Sequence, residues 1–471
     1  MSNNITGSTN VEVSRSRDIN RIIVPEGMPL QDAARWCIAQ AEAEERKVAI
    51  NEPIAAFPLD GAYALHRAMK EIFGWIDLVA TPGFFGPTPP TMVQLDISAT
   101  ETVRVPWGRM VLPMLSGGYI QTTVTRLNGR PAFQISGEVK KKHEGLVVQL
   151  VDRVRELIKH ESIYKGKAFR IAFPATDDPE AFDFSLHTPR FLPLTGITEE
   201  QLIFPPDVYD LIATTLWTPI EYATVAKRAG VRTKRGVLLS GRPGVGKTLT
   251  AYVTAKKAVD NGWTFIYLED VNRLADAVNF AAPYGPTVIF AEDIDRADKL
   301  GERNDAMNAI LNVIDGIESK HGEVFVVLTT NFLEKLPVEL LRPGRLDAVV
   351  DIPAPDATTV VRLLRKTCGS LLPDSENIDA VGHKLAETIP AVIAEVTERA
   401  KLSSVRRLAL AGTPDAPLNL TAHDLSVAAD SITTHLRLLE PKAPVERSSI
   451  EKGAQLVADG LIRAAQLMPR E

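Results

Sequence analysis

Apolar and polar positions follow two rhythms along this chain, and the switches between them mark its parts. Residues 1–19 are rich in Asn, Ser and Thr and show neither rhythm, which predicts a disordered tail. Residues 20–195 mix both. Ala33, Ala34, Cys37, Ile38 and Ala41 recur at helical spacing within residues 29–47, and a second helix is expected over 59–75. TMVQLDI, TVRVPWGRMVL and YIQTTVTRLNGRPAFQISGEV read as strands, the last a hairpin turning at Asn128–Gly129. Leu146, Val147, Leu150, Val151, Val154 and Leu157 line one side of a helix over 143–160. KAFRIAF reads as a further strand, and the acidic TDDPEAFD, residues 176–183, as a linker. This pattern predicts an α+β domain over 20–195.

From 196 to 355 strands and helices alternate. A helix is expected behind Pro205–Pro206. RGVLLS, TFIYLED, TVIFAEDID, EVFVVLTTN and AVVDIPA read as buried strands, with helices after GKT and over 270–279 and 305–317. Alternation of this kind predicts an α/β fold, a parallel sheet with helices on both faces, whose ligands sit at the carboxyl ends of the strands. Residues 356–440 turn wholly helical and should form a lid. Residues 441–471 begin as a Pro/Lys/Ser linker and can end in a short helix over 450–467.

Composition narrows the class. At 471 residues the chain is too long for one ordinary core. Its 45% apolar content suits a soluble globular protein, and its net charge of −6 gives no global basic field for nucleic acid. Two cysteines, Cys37 and Cys368, supply neither a disulfide framework nor a CxxC metal motif. No apolar run is long enough to span a bilayer and the N-terminus lacks a signal-peptide core, so a cytoplasmic location is expected.

The chemistry starts at GRPGVGKT, comprising Gly241, Arg242, Pro243, Gly244, Val245, Gly246, Lys247 and Thr248. This is GxxxxGK[ST], a phosphate-binding P-loop. The glycines let successive backbone N–H groups face phosphate oxygens, and the helix that follows adds its positive dipole end. Lys247 supplies a mobile charge for the β- and γ-phosphates, and the Thr248 hydroxyl can ligand Mg²⁺. Glu292 and Asp293 end the TVIFA strand, where one acid can hold the Mg²⁺ water shell and its neighbour can activate the attacking water. Thr329, Thr330 and Asn331 end the next strand, where a polar side chain can reach the γ-phosphate. Arg342 and Arg345 flank Pro343–Gly344. They either pair with carboxylates of their own domain or reach a phosphate bound by a neighbouring copy.

Two other features admit two readings each. Phe84–Phe85 between glycines either grip a substrate or tuck into the core, as Phe usually does. Lys140, Lys141 and Lys142 either touch phosphate or form a solvated face, as charge runs usually do.

GRPGVGKT, VIFAEDID, VIDGI, LTTN and LLRPGRLD, in this order, resemble the AAA family of ATPases in its branch with the second region of homology. The resemblance covers residues 196–440 and does not extend to the N-terminal domain. It implies ATP and Mg²⁺ as ligands, Asn331 as sensor 1, and Arg342 and Arg345 as fingers acting in trans. It also implies a ring, usually a homo-hexamer, with ATP between subunits. Asp315–Gly316 matches the family's intersubunit signalling segment.

The chain departs from the family at several places. The family usually reads Asp then Glu where this chain reads Glu292 then Asp293, although some branches share the swap. Slow hydrolysis is therefore open. Arg242 and Val245 replace a proline and a threonine. Ala391 stands where other branches carry a sensor-2 arginine. No aromatic–hydrophobic–glycine pore element lies between the second and third strands, and Tyr284–Gly285 is poorly placed to serve as one. The readings that remain are a ring ATPase remodelling a protein client bound by the N-terminal domain or an adaptor, a nucleic-acid motor or loader, and a slow ATP-gated assembly protein. The acidic balance and the absence of a winged-helix or zinc pattern count against the second.

Overall fold

The computed structural model describes residues 26–74, 81–83, 86–88, 91–127, 130–173, 188–230, 235–296, 307, 310–314, 324–342, 345–413 and 416–439. The chain divides into two units, one drawn from Met1–Thr198, Ala213–Leu239 and Thr250–Val349, the other from Glu199–Ile212, Ser240–Leu249 and Val350–Glu471.

The first unit begins with α1 (Leu30–Glu45), β1 (Lys47–Ile54), α2 (Pro58–Phe73), the hairpin β2 (Thr91–Asp96) and β3 (Thr102–Trp107), β4 (Arg109–Met110), β5 (Tyr119–Leu127), β6 (Arg130–Lys140) and α3 (Glu144–Glu161). An antiparallel sheet runs in the order β1-β6-β5-β4. The β5–β6 register, Leu127 opposite Arg130, matches the expected hairpin. On α3 the stripe Val147, Leu150, Val151, Val154 and Leu157 is buried, as its spacing predicts. Helix α1 forms too but buries none of its residues. Three of its five periodic positions are alanine, whose small side chain gains little by burial. Lys140 lies 2.6 Å from the Glu45 carboxylate and Lys142 pairs with the same group, so these lysines hold α1 against the end of β6.

The second sheet has seven strands: β7 (Ala168–Arg170), β8 (Arg190–Phe191), β9 (Arg235–Ser240), β10 (Thr264–Leu268), β11 (Thr287–Ala291), β12 (Val324–Thr330) and β13 (Ala348–Asp351). Their order is β8-β7-β10-β11-β12-β9-β13. β7, β10, β11 and β12 run parallel, and β8 is antiparallel to β7. KAFRIAF is thus a strand, as expected, but it extends this sheet rather than the N-terminal one. An apolar run shows that a strand is buried, not which sheet buries it. One hydrophobic core joins α2 and α3 to this sheet and to α5 (Leu274–Ala281). At the junction the Phe280 ring lies 5.0 Å from Phe57, 5.7 Å from Phe169 and 5.1 Å from Tyr284. The Phe57 amide donates to the Tyr284 hydroxyl at 3.0 Å.

The second unit holds four helices that follow β13: α6 (Ala357–Cys368), α7 (Asp379–Lys384), α8 (Pro390–Leu410) and α9 (Ala422–Leu439). Val360, Leu364, Ile393, Val396, Leu420 and Leu425 pack at their centre. The Asp356 carboxylate accepts from the Thr359 amide at 2.9 Å and caps α6. The helical character expected of residues 356–440 is present in these four helices.

Phe84–Phe85, Asn128–Gly129, the linker at 176–183, Asp315–Gly316, Pro343–Gly344, the helix expected over 450–467 and most of 305–317 lie outside the described residues. Among the described residues no helix is long and apolar enough to cross a membrane.

Candidate nucleotide site

Strand β9 delivers the chain into residues 241–248, and α4 (Lys247–Asp260) leaves them. Gly244 sits at φ +84, and a Cβ there would meet Ile389 Cδ1 at 2.9 Å and Ala391 Cβ at 3.3 Å. At Gly241 a Cβ would lie 2.6 Å from the Ile352 carbonyl oxygen. Neither position tolerates a side chain, so the tight loop needs both glycines. The Phe204 ring stands 3.4 Å from where a Gly246 Cβ would be. Val245 is buried beneath the loop, while Arg242, Pro243 and Thr248 are exposed.

Lys247 is only 7% exposed, and its Nζ donates to the carbonyls of Gly241 at 2.6 Å and Arg242 at 3.2 Å. A cation is therefore held inside a glycine loop at the opening of a helix. That donor set fits a polyphosphate. Ala391, at the position the family resemblance flags, adds a methyl and no charge beside Gly244.

At the other cluster the parallel register of β11 and β12, Ala291 beside Leu328, brings Glu292–Asp293 to the same end as Thr329–Asn331. Asp293 has φ 50, a left-handed conformation uncommon outside glycine and best tolerated by Asn and Asp. Its amide donates to Thr329 Oγ1 at 2.9 Å, and Asn331 Nδ2 donates to its Oδ1 at 2.8 Å. Arg296 pairs with its Oδ2 at 2.8 Å. The preceding residue turns the other way. The Glu292 amide donates to the Leu268 carbonyl of β10 at 3.1 Å, and its carboxylate accepts from the Tyr267 hydroxyl. A single left-handed residue thus separates two adjacent acids, Glu292 toward β10 and Asp293 toward β12.

Asp295 was not anticipated. It accepts from Thr330 Oγ1 at 2.9 Å and from the Asn331 amide at 3.0 Å, so it orients the residue that touches Asp293. The signal was the third acid of the EDID run. The short 3-10 turn Ile294–Arg296 that returns it to β12 is not legible from spacing.

Among the described residues no group of three or more His, Cys, Asp or Glu could hold a metal by itself. Mg²⁺ needs none, since it binds through one or two protein oxygens together with water and substrate phosphates.

The paired arginines meet the same residue. Arg342, with 67% of its side chain exposed, lies 3.9 Å from the Glu339 carboxylate, and Arg345 Nη1 donates to the Glu339 carbonyl at 3.1 Å. Tyr284 is 1% exposed.

A mostly parallel sheet carrying a P-loop sequence, followed by a helical C-terminal part, is consistent with a P-loop α/β fold. The family model for the ATPase family associated with various cellular activities (AAA) matches residues 237–354. The chain is 32% identical over 226 residues to an ATP-dependent zinc metalloprotease FtsH of Acidothermus cellulolyticus, covering 44% of this chain and 32% of that protein. It is 32% identical over 206 residues to a 26S proteasome regulatory subunit 4 homolog of Oryza sativa subsp. japonica, covering 40% and 46%. It is 28% identical over 260 residues to a Cell division cycle protein 48 homolog of Archaeoglobus fulgidus, covering 51% and 35%. The matches therefore span between about a third and a half of these relatives' lengths. These matches identify an AAA ATPase domain over residues 237–354.

Proposed function

We propose that the chain hydrolyses Mg²⁺·ATP in a homo-hexameric ring and uses the turnover to remodel a protein client or complex engaged by its N-terminal region. Support comes from the order of the motifs and from relatives named for protein degradation machinery. The observation that carries the catalytic part is the polar cluster at the ends of β11 and β12, centred on the Asp293–Asn331 contact of 2.8 Å.

In this reading the amides of residues 241–248 bind the phosphates and Lys247 swings from its loop carbonyls onto the β/γ-oxygens. Mg²⁺, when bound, neutralises phosphate charge, with Thr248 and Glu292 as its protein oxygens. Asp293 takes a proton from water as the water oxygen bonds to the γ-phosphorus and the bond to the bridging oxygen breaks, leaving ADP and phosphate. Asn331 orients that water and the γ-phosphate. Arg342 and Arg345 reach the γ-phosphate of the adjacent subunit; the exposed 3.9 Å pair of Arg342 with Glu339 is of a kind that exchanges readily.

A second reading, slow ATP-gated assembly, has one observation in its favour. Arg296 and Asn331 both engage Asp293, and aspartate is a methylene shorter than the family's usual glutamate.

Equilibrium binding of a fluorescent ATP analogue to the full chain tests the site. Lys247→Ala should weaken it at least about a hundredfold, in line with loss of a buried charge-assisted contact together with its loop. Unchanged binding removes the P-loop assignment. Mixing Arg342→Ala with Asp293→Asn subunits should restore part of the lost turnover. Co-assembly without any recovery counts against shared sites.

A further inference from the structure

The strand β10 is buried at every position, and near its end it carries the phenol of Tyr267. This ring lies parallel to Phe290 of β11, 6.3 Å away with 5° between planes, and 6.3 Å from Tyr252 of α4. Its hydroxyl donates to Glu292. On its remaining side the guanidinium of Arg170 stands 5.5 Å from the ring centroid. Arg170 belongs to β7, the strand that the N-terminal segment contributes, and Arg170 and Tyr267 are register partners. The guanidinium is held in turn by Glu269, at 2.7 Å.

We propose that Tyr267 is a positioning residue for Glu292 and that Arg170 sets Tyr267, so that the N-terminal segment bearing β7 tunes how this acid meets Mg²⁺·ATP. The inference rests on the nucleotide-site reading above and assigns a role within it. Its physical basis is torsional. Glutamate has one more rotatable bond than the aspartate more usual at this place, and that freedom must be lost before its oxygens present a fixed geometry. Two tethers remove it. The amide of Glu292 is tied to Leu268, and its carboxylate to the hydroxyl one residue earlier on the same strand. A tyrosine hydroxyl is a neutral donor at ordinary pH. The aromatic stack fixes the ring plane, and Arg170 adds a cation–π contact that reports where β7 lies.

The test uses the full chain and two readouts, steady-state turnover and Mn²⁺ binding to the ATP complex followed by electron paramagnetic resonance. Tyr267→Phe keeps the ring and deletes only the hydroxyl. It should weaken Mn²⁺ about tenfold and lower kcat about tenfold, the scale of one hydrogen bond to a charged group. Affinity for nucleotide in EDTA should stay within about twofold, because the residues that hold phosphate are untouched. Arg170→Ala should move both quantities the same way by about threefold, with Arg170→Lys between it and the parent, since lysine keeps the charge. A purely structural Tyr267 would instead lower the melting temperature and weaken metal-free nucleotide binding together, and that result overturns the proposal. So does a Tyr267→Phe protein matching an active parent within twofold in Mn²⁺ affinity and kcat. A parent that neither binds Mn²⁺·ATP nor turns it over removes the nucleotide-site reading itself, and this inference falls with it.

Discussion

The two larger sheets use polar residues in different ways. In the N-terminal sheet they form exposed pairs along the strands. Lys47 meets Glu138 at 3.2 Å, and Arg155 on α3 meets Glu52 at 2.7 Å, all four well exposed. In the seven-stranded sheet a polar cluster stands at the ends of β11 and β12. Thr329 and Thr330 are buried, and with Asn331 they face Asp293 and Asp295. Exposed pairs are individually weak and replaceable. A buried hydroxyl favours a partner, and here Thr329 accepts from the Asp293 amide while Thr330 donates to the Asp295 carboxylate. The first arrangement supports a surface and the second builds a site. Breaking contacts in each should therefore fail differently.

The largest effect should come where the two regions share a core. Phe280→Ala removes a ring in contact with Phe57 from one side and Phe169 and Tyr284 from the other. Loss of a buried Phe costs about 4 kcal/mol. If the regions melt together, Trp107 and Trp263 report one transition and both move down. If only the Trp263 signal shifts, the shared core does not couple the two sheets.

Next comes a buried acid of the N-terminal region. Asp60 accepts from Ser162 Oγ at 2.8 Å and from the Ile163 amide at 3.1 Å. Burial pushes its carboxyl up to about 6, against the lowering pull of these hydrogen bonds. The sign follows from linkage. A group with a raised folded pKa contributes stability that is fully present below its unfolded pKa and lost as pH rises through about 6. A shift of about two units corresponds to about 3 kcal/mol between the two ends of that window. Carboxylates held below their ordinary range, such as Asp356 and Asp424, act in the opposite direction, so the difference between parent and variant is the useful quantity. Asp60→Asn should narrow its deficit relative to the parent, or gain on it, as pH rises from 4 to 8. A difference independent of pH would show that Asp60 does not titrate in that window.

How much of this was legible depended on whether chemistry or packing chose the residue. GRPGVGKT is readable because few sequences fold around a phosphate, and the ends of β11 and β12 because acids and Asn331 interrupt apolar runs. The strand at KAFRIAF was visible, but its sheet was not, because only the register of Phe169 beside Ile266 decides that. The divergence of Glu292 and Asp293 rests on one left-handed residue, which no periodicity records. Tyr267 read as one more apolar strand position, since a phenol and a phenyl leave the same trace in a buried run. Helix α1 is legible as a helix, but its spacing does not show that it buries none of its residues.

The smallest free-energy change should have the sharpest functional consequence. Asp293→Asn alters one atom in a side chain that is 15% exposed. The backbone there is left-handed, and asparagine tolerates that conformation as well as aspartate does. The new amide oxygen can still accept from Asn331. Fold and ATP binding should therefore persist, with a melting temperature within about 2 °C of the parent, as expected for a change worth under about 0.5 kcal/mol. What is lost is the charge that receives the proton in the proposed mechanism, and turnover should then fall at least about a hundredfold, the lower range for removing a positioned base. Measured side by side, unchanged melting and nucleotide retention with lost turnover would separate chemistry from packing at the ends of β11 and β12. Turnover within about threefold of the parent would assign the proton to another acid, and Asp295, which already holds Thr330 and the Asn331 amide, is the one next to examine.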